Sequence, residues 1–158
     1  MFRPMRRNKQ QLAEEECIAI LEQEPRGVLS LLGEDGYPYG IPLDHWYCPE
    51  DGHLYFHGAQ EGHKLDALRA CNKVSYCVYD KGYLEPGDWA LHIKSVVLFG
   101  TMKVVEDPEQ VQKICTNLAL KFTDDQEYIA KELSKHTPKV CCLELTPEHM
   151  TGKAVKES

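Results

Sequence analysis

The alternation of apolar and polar residues predicts a chain of short antiparallel strands with a few helices between them. Strands are predicted where β-branched and aromatic residues recur, and Gly, Pro and Asp mark the turns between them. The predicted strands are 28–32, 37–47, 53–57, 73–79, 91–106 and 139–145. Amphipathic helices are predicted over 11–23, 61–70, from Asp107 onward and over 125–134.

The turns 34–36 and 48–52 are short, so the first three strands should form an antiparallel meander. Six antiparallel strands in one sheet leave two edges, and such a sheet removes its edges by closing into a barrel. We therefore expect a mainly β fold of the α+β class, with the helices outside the barrel. The 158 residues and the 42% hydrophobic content fit a single domain with a real core.

The second predicted strand contains two prolines, Pro38 and Pro42. Proline has no amide hydrogen to donate to a neighbouring strand, so it is confined to edges and bulges of sheets. We expect this strand to have a free edge, a bulge or a stretch of backbone that faces something other than a strand.

The stretch 54–69 joins a short apolar strand through Gly58 and Gly62 to a helix that opens with His63 and Lys64. We expect both glycines to allow a tight turn. The first amides of a helix lack intrahelical partners and, with the helix dipole, favour an anion. Neither a Walker motif nor GxGxxG is present, so this is neither a P-loop nor a Rossmann turn. A phosphate site and an ordinary strand-to-helix connection are both compatible with these residues.

Charge and hydropathy exclude several classes of protein. The net charge of −7 argues against broad binding to nucleic acid or to anionic lipid. No apolar run is long enough to cross a membrane, and the basic N-terminus does not lead into a signal peptide. We expect a soluble cytoplasmic protein whose basic residues at 3–9 form a solvated arm.

Seven cysteines without CxxC spacing indicate reduced thiols rather than a zinc site or a disulfide framework. Four residues could be imagined as metal ligands: His45, Cys48, His53 and His57. Their spacing matches no known metal site, so we predict none.

Several short motifs, in this order and spacing, resemble the pyridoxamine 5′-phosphate oxidase-like flavoproteins with the FMN-binding split barrel. Within them the chain is most similar to the nitroimidazole-resistance (Nim) branch. The matching segments are Met-Arg-Arg at 5–7, Gly-Val-Leu-Ser at 27–30, Gly-Tyr-Pro-Tyr-Gly-Ile-Pro at 36–42, Tyr-Phe-His-Gly at 55–58, Gly-His-Lys at 62–64, Ser-Val-Val-Leu-Phe-Gly at 95–100 and Thr-Gly-Lys at 151–153.

The resemblance implies a single FMN-binding domain over 1–158, a six-stranded antiparallel split β-barrel of Greek-key type. It also implies a homodimer with two FMN molecules at the subunit interface. The phosphate would lie on the turn at Gly62, His63 and Lys64, and the flavin along the second strand. The residues implied to bind FMN are Tyr39, Gly40, Ile41, Pro42, Leu43, Phe56, His57, Gly62, His63, Lys64, Ser95 and Val96.

The same resemblance implies an oxidoreductase that passes electrons from NAD(P)H to a small acceptor such as a nitroaromatic compound. His57 is the candidate catalytic residue, because an imidazole near the flavin can donate to an oxygen or relay a proton. It could equally be a hydrogen-bonded structural residue. Two other classes stay open: a flavin-binding module without turnover, and a protein that binds haem or a deazaflavin in the same groove.

One departure from the family restricts the activity. Pyridoxamine phosphate oxidases proper hold the substrate phosphate with arginines and a histidine, including a Trp-Arg-rich tail, whereas this sequence ends in Thr-Gly-Lys-Ala-Val-Lys-Glu-Ser. We therefore expect an activity other than pyridoxamine phosphate oxidation.

Overall fold

The computed structural model describes residues 1–156, which form one antiparallel sheet of eight strands with four flanking α-helices. The strands are β1 (Arg26–Leu32), β2 (Pro38–Asp44), β3 (Trp46–Tyr47), β4 (Leu54–Ala59), β5 (Lys73–Tyr79), β6 (Tyr83–Leu84), β7 (Leu91–Val105) and β8 (Val140–Lys156). The helices are α1 (Glu14–Gln23), α2 (His63–Ala70), α3 (Pro108–Leu120) and α4 (Gln126–His136). The mainly β architecture with outer helices is confirmed.

Two long strands, β7 and β8, form the centre of the sheet. The strand order is β2-β1-β5-β7-β8-β4-β3, and β6 pairs with one end of β7. The β7–β8 register shifts between Phe99 and Gly100, which marks a β-bulge. A side chain at Gly100 would clash with the carbonyl oxygen of Thr146, so only glycine allows this close approach. Because a bulge bends a strand and increases its twist, the long pair can curl the sheet toward a barrel.

The barrel is split where β2 continues into β3. β2 pairs with β1, whereas β3 pairs with β4, so the chain changes partner at His45. This corner is held by the fully buried His45 ring, whose Nε2 lies 2.7 Å from the carbonyl oxygen of Leu21 and whose Nδ1 lies 2.8 Å from the hydroxyl of Tyr76. Within residues 1–156, β2 and β4 lie in contact without pairing. The helix α2, which follows β4 directly, begins beside this opening.

Two hydrophobic cores lie on the two sides of β4. The inner core fills the curved sheet and includes Leu29, Phe56, Tyr76 and Leu98, all without exposed surface. The outer core lies under α3 and consists of Cys48, Tyr55, Val105, Ile114, Cys115, Leu118 and Cys142. Neighbouring residues of a strand point to opposite faces, so β4 separates the barrel interior from the helical layer.

Local sequence signals fix the ends of the two outer helices. Asp107 caps α3 by accepting a hydrogen bond from the amide of Glu109, and proline occupies the first helical position. Asp125 caps α4 by accepting from the amide of Tyr128 at 3.0 Å. No helix among the described residues combines the length and the apolar character that crossing a bilayer requires.

The predicted number of six strands was wrong. The segment 37–47 forms two strands because the buried His45 interrupts it, and β6 lies between the strands predicted over 73–79 and 91–106, where none was predicted. The last strand, predicted over 139–145, continues through the whole of β8. Its second half is polar and contains Pro147, and it is extended because it pairs with β7.

The first helix begins later than the predicted start at residue 11. The amide of Leu12 donates to the carbonyl oxygen of Gly152 at 2.9 Å, and Gln11 forms a β-bridge with Lys153. The segment before α1 therefore extends along β8 instead of forming the first helical turn.

All seven cysteines are free thiols, as predicted. Cys142 has no exposed surface and belongs to the outer core, whereas Cys141 packs against the inner core. The two neighbouring thiols therefore lie on opposite faces of β8 and act as small apolar side chains.

Candidate functional site

The N-terminus of α2 offers free backbone donors. Gly62, which precedes it, has a φ of 139° and would have no atom within 4 Å of an added Cβ. No side chain caps the helix, and the amide of Asp66 makes the first helical bond, to the carbonyl oxygen of Gly62. The amides of the first three helical residues are therefore left to an outside acceptor. An anion is the acceptor that the helix dipole favours there.

Lys64 places a positive charge beside this turn. Its side chain is half-buried, and among the described residues it forms no hydrogen bond or ion pair. Burial lowers the pKa of its ammonium, and the field of Cys141 opposes this effect. A partly desolvated cation without a counterion is stabilised by a bound anion.

The prediction that Gly58 turns the chain was wrong, because Gly58 lies inside β4. Gly58 instead provides space for Lys64, because an added Cβ would lie 2.7 Å from the Nζ of Lys64. The absence of a side chain at this position leaves room for the ammonium group against the strand. Gly62, by contrast, makes the turn as predicted.

His63 connects the turn to β2. Its ring stacks on that of Tyr39 with centroids 3.9 Å apart, and its Nε2 lies 3.7 Å from the position of a Cβ on Gly33. The imidazole is therefore packed between two elements. The structure thus brings together two predicted parts of the site, the turn at 62–64 and the strand at 39–43.

The outward edge of β2 carries few hydrogen-bond donors. The amide of Gly33 donates to the carbonyl oxygen of Tyr37 at 2.9 Å, and the β1–β2 register continues from this pair. Because bonded pairs alternate in an antiparallel ladder, every second residue of β2 bonds to β1. Those residues are Tyr39, Ile41 and Leu43. The others face outward, and since Pro38 and Pro42 have no amide hydrogen, Gly40 carries the donor between them. Of the three alternatives predicted for this strand, the free edge is the one found within the described residues.

Two of the predicted site residues in the strands have buried side chains. Phe56 and Val96 belong to the inner core and have no exposed surface. The ring of Phe56 packs edge-on against Tyr76, with centroids 5.0 Å apart. Only the backbone of these two residues is placed to contact a ligand outside the core.

His57 faces the helical layer, at the mouth of a cavity between β4, α3 and α4. The surrounding protein lowers the pKa of the imidazole, mainly by desolvation, with Asp44 opposing this effect and Lys64 adding to it. Because the charge of Lys64 affects this pKa, the ring of His57 lies near the turn that carries Lys64. At neutral pH it is uncharged and has one nitrogen that donates and one that accepts.

Ser95 lies away from the rest of the predicted site. It lines a groove of about 490 Å³ on the outer face of β7 and β8, together with Arg6, Arg7, Thr151 and Lys153. Two strands, β1 and β5, separate β7 from β2 in the sheet. One chain therefore holds the predicted residues in two separate groups.

The four residues considered as metal ligands do not converge. His45 holds the corner of the barrel, Cys48 packs in the outer core and His57 faces the cavity. His53 instead contacts Glu144, with 2.8 Å between Nδ1 and Oε1. Asp51 forms a cluster with His53 and Glu144. The hydroxyl of Tyr55 donates a hydrogen bond to Asp51, so the polar atoms of this cluster are already paired with protein groups.

Sequence reasoning missed Asp44 and Glu144, which folding brings into polar clusters. Asp44 lies beside His57, and its Oδ1 is 3.0 Å from the Nε of Arg26. No local motif could reveal the partnership of Glu144 and His53, because 91 positions separate them in the chain. The sequence did offer a signal for Asp44, because a carboxylate between Leu43 and His45 is unusual inside a predicted strand.

Comparisons with known proteins show structures of similar fold. The chain resembles a candidate 5-nitroimidazole antibiotic resistance protein from Bacteroides thetaiotaomicron, with a TM-score of 0.77 and 20% identity over 92% of this chain and 87% of that one. A FAD-binding protein from Mesorhizobium loti gives a TM-score of 0.66 and 25% identity, covering 92% of this chain and 97% of that one. A FAD and heme binding protein from Mycobacterium smegmatis gives a TM-score of 0.73 and 20% identity, covering 94% of this chain and 74% of that one.

No curated protein sequence matches the chain significantly. The family model described as pyridoxamine 5′-phosphate oxidase matches residues 13–154, which include all of α1 to α4 and every strand up to most of β8. The chain therefore belongs to the pyridoxamine 5′-phosphate oxidase family.

Proposed function

We propose that the protein binds FMN at the split of its barrel and passes electrons from NAD(P)H to a small acceptor such as a nitroaromatic compound. The observation that carries this proposal is the uncapped N-terminus of α2 with the unpaired, half-buried Lys64 beside it. Backbone amides and an ammonium group together match a phosphate monoester. The open space over Gly62 admits such a group without displacing any atom.

The isoalloxazine ring is proposed to lie along the outward edge of β2. Between Pro38 and Pro42 this edge combines one amide donor, at Gly40, with carbonyl oxygens that have no strand partner, which suits the polar edge of the ring. Gly40 and Pro42 are exposed, and a Cβ on Gly40 would meet only ordinary contacts at 3.5 Å or more. Glycine here leaves additional room for a flat ligand.

FMN is preferred to FAD because the turn provides one cation, Lys64, for one terminal phosphate. The relatives described as binding FAD make FAD the principal alternative, and the Mycobacterium smegmatis protein makes haem a second. A deazaflavin would use the same edge and turn. Absorption spectra separate these ligands: a Soret band identifies haem, and mass spectrometry of the released molecule separates FMN from FAD and from a deazaflavin.

A homodimer would unite the two groups of site residues. An apolar row crosses the outer face of the sheet in register from Pro42 through Val28, Cys77 and Val97 to Thr151. Val28 is 37% exposed in the single chain, and Phe99 on the same face is 40% exposed. A second copy that covers this face by two-fold symmetry would bring its basic groove, with Ser95, toward β2.

A bound flavin supplies reversible two-electron chemistry, so the protein needs only to bind it, orient it and control access. His57 is proposed to donate a hydrogen bond to the acceptor, or to relay a proton by accepting one at one ring nitrogen while it donates at the other; its lowered pKa, caused mainly by desolvation, favours the neutral ring that this relay needs. Family membership and the candidate nitroimidazole-resistance relative support the nitroaromatic acceptor.

The test is a flavin titration followed by a donor screen. Purified protein should quench FMN fluorescence with a dissociation constant well below the millimolar range, and NADH or NADPH should bleach the bound flavin without oxygen. Failure to bind any flavin would contradict the whole proposal. Tight binding without bleaching by either nucleotide would instead favour the flavin-binding module without turnover.

A further inference from the structure

A cavity of about 430 Å³ lies between α3, α4 and the strand ends of β2 and β4. Its size is within the range of small-molecule sites. The walls are mainly apolar, and they include Leu118, Phe122, Ile129 and Leu133. We propose that this cavity binds small, flat aromatic molecules that are uncharged or cationic, and that it holds the acceptor; this second part rests on the proposed function.

The polar side chains of the cavity explain the charge preference. Asp44 and Glu132 place two carboxylates at its wall. Arg26 and Lys121, which both lie outside the cavity lining, interact with Asp44, and His136 contacts Glu132. No lysine or arginine lines the cavity among the residues that the structure describes. An anionic molecule would therefore meet two negative groups without a strong cation, whereas a neutral one would avoid this repulsion.

Hydrogen-bonding groups face the same space. His57 is neutral and can donate or accept. Thr137 also lines the cavity, but its hydroxyl oxygen is buried and not accessible to an occupant. The carboxylates of Asp44 and Glu132 can accept hydrogen bonds, so a donor group on an occupant would find acceptors there as well as at the imidazole.

The location connects the cavity to the proposed cofactor edge. Asp44 lines the cavity and directly follows Leu43, the last proposed flavin contact of β2. His57, which also lines it, precedes Gly58 in the chain, and the ammonium of Lys64 lies against Gly58. A molecule in the cavity would have an apolar wall on the helical side and the candidate proton donor at its mouth. The same carboxylates would disfavour a phosphorylated molecule inside the cavity.

A matched series of nitroaromatic probes tests the preference: para-nitrobenzyl alcohol, para-nitrobenzylamine and para-nitrobenzoate differ mainly in charge. Equilibrium dialysis against FMN-saturated protein, and against protein without FMN, gives the affinity of each. We expect the alcohol and the amine to bind at least about tenfold more tightly than the benzoate. Glu132→Gln should narrow this difference by improving the binding of the benzoate.

Two variants of α3 locate the binding site. Ala119 lines the cavity, so Ala119→Trp should fill it and weaken binding of the alcohol by at least about tenfold. Leu120 is 41% exposed and does not line it, so Leu120→Trp should bind the alcohol as the unmodified protein does. Circular dichroism and the FMN affinity of both variants show whether the fold is retained.

Other outcomes overturn one proposal or the other. Equal affinity for the benzoate, or unchanged binding in a folded Ala119→Trp protein, overturns the cavity assignment. A change in sedimentation of Ala119→Trp without loss of probe binding also overturns it, because the face would then be a contact between copies of this chain. If FMN does not bind but the charge preference and the effect of Ala119→Trp persist, the proposed function fails and the aromatic site stands.

Discussion

The imidazole of His63 stacks on the ring of Tyr39 with their centroids 3.9 Å apart and an interplanar angle of 21°. This contact joins the first residue of α2 to β2 across the split of the barrel. This pair of rings, together with the packing of Leu65 and Ala67 in the inner core, therefore positions the anion-binding amides relative to the edge of β2.

A double-mutant cycle tests that contact. His63→Ala and Tyr39→Ala should each reduce the free energy of unfolding, and the double variant should lose less than the sum of the two. Stacked rings contribute roughly 0.5–1.5 kcal/mol beyond their buried area, which sets the expected coupling energy. Urea unfolding measures it, and strictly additive losses would mean that the rings do not stabilise each other.

The second prediction concerns the phosphate contact of Lys64. Lys64→Ala should weaken FMN binding by about tenfold to a hundredfold, since a charge-assisted hydrogen bond contributes about 1.5–3 kcal/mol. Arg69→Ala is the control on the same helix: Arg69 is exposed, lies in the last turn and pairs with Asp66. Fluorescence titration compares the two, and an unchanged affinity in Lys64→Ala would place the phosphate elsewhere.

The third prediction uses the space at Gly58. A methyl group there would meet the Nζ of Lys64 at 2.7 Å, and this flexible end can move away. Gly58→Ala should therefore keep most of its stability but weaken FMN binding toward the level of Lys64→Ala. In the combined variant the two losses should not add, because both act through the same ammonium group. Fully additive losses would show that Gly58 acts independently of Lys64.

The sequence predicted the parts of the site that depend on local pattern. Pro38 and Pro42 indicated the free edge, and Gly62 followed by His63 and Lys64 indicated an anion-binding turn. Both signals lie within a few residues and have a direct backbone cause. The structure adds that the turn and the edge are neighbours, which requires the chain to change strand partners at His45.

Features set by distant contacts could not be predicted in this way. His45 looks like a polar residue in a strand, and its burial depends on Leu21 and Tyr76, which are far away in the sequence. The second half of β8 is too polar to predict a strand, and it is extended because it pairs with β7. The cavity beside His57 is formed by α3 and α4, whose packing does not follow from local patterns.

The fourth prediction concerns stability in acid. Burial, with the field of Lys121, lowers the pKa of His45 from 6.5 to about 4. The carbonyl of Leu21 can only accept, so Nε2 of the neutral ring carries the hydrogen. Nδ1 lies 2.8 Å from the hydroxyl of Tyr76, which also lies 2.7 Å from the carbonyl oxygen of Leu43 and donates to it. Because the folded state resists protonation, the unfolded chain binds the proton first. The free energy of unfolding therefore falls as the pH drops below the pKa that His45 has in the unfolded chain. The fall is complete near the pKa that His45 has in the folded protein.

This loss should amount to roughly 2–4 kcal/mol between neutral pH and about pH 4, from the size of the pKa shift. Carboxylates also titrate in this range, so the measurement compares the protein with His45→Gln, which lacks the titrating ring but keeps every carboxylate. Urea unfolding at several pH values should give a shallower pH dependence for the variant. Parallel curves for the two proteins would show that His45 titrates alike in the folded and unfolded states.

The last prediction decides the role of His57, which stands at the mouth of the aromatic cavity with Asp44 and Lys64 in its electrostatic surroundings. If it gives a proton to the acceptor, His57→Ala should lower turnover by roughly 10²-fold or more while FMN stays bound. His57→Gln keeps a donor N–H but cannot titrate, so it should be about as inactive as the alanine variant. If a hydrogen bond suffices, glutamine should restore much of the rate. Release of FMN or a lower melting temperature in both variants, without a specific loss of turnover, would assign His57 a structural role.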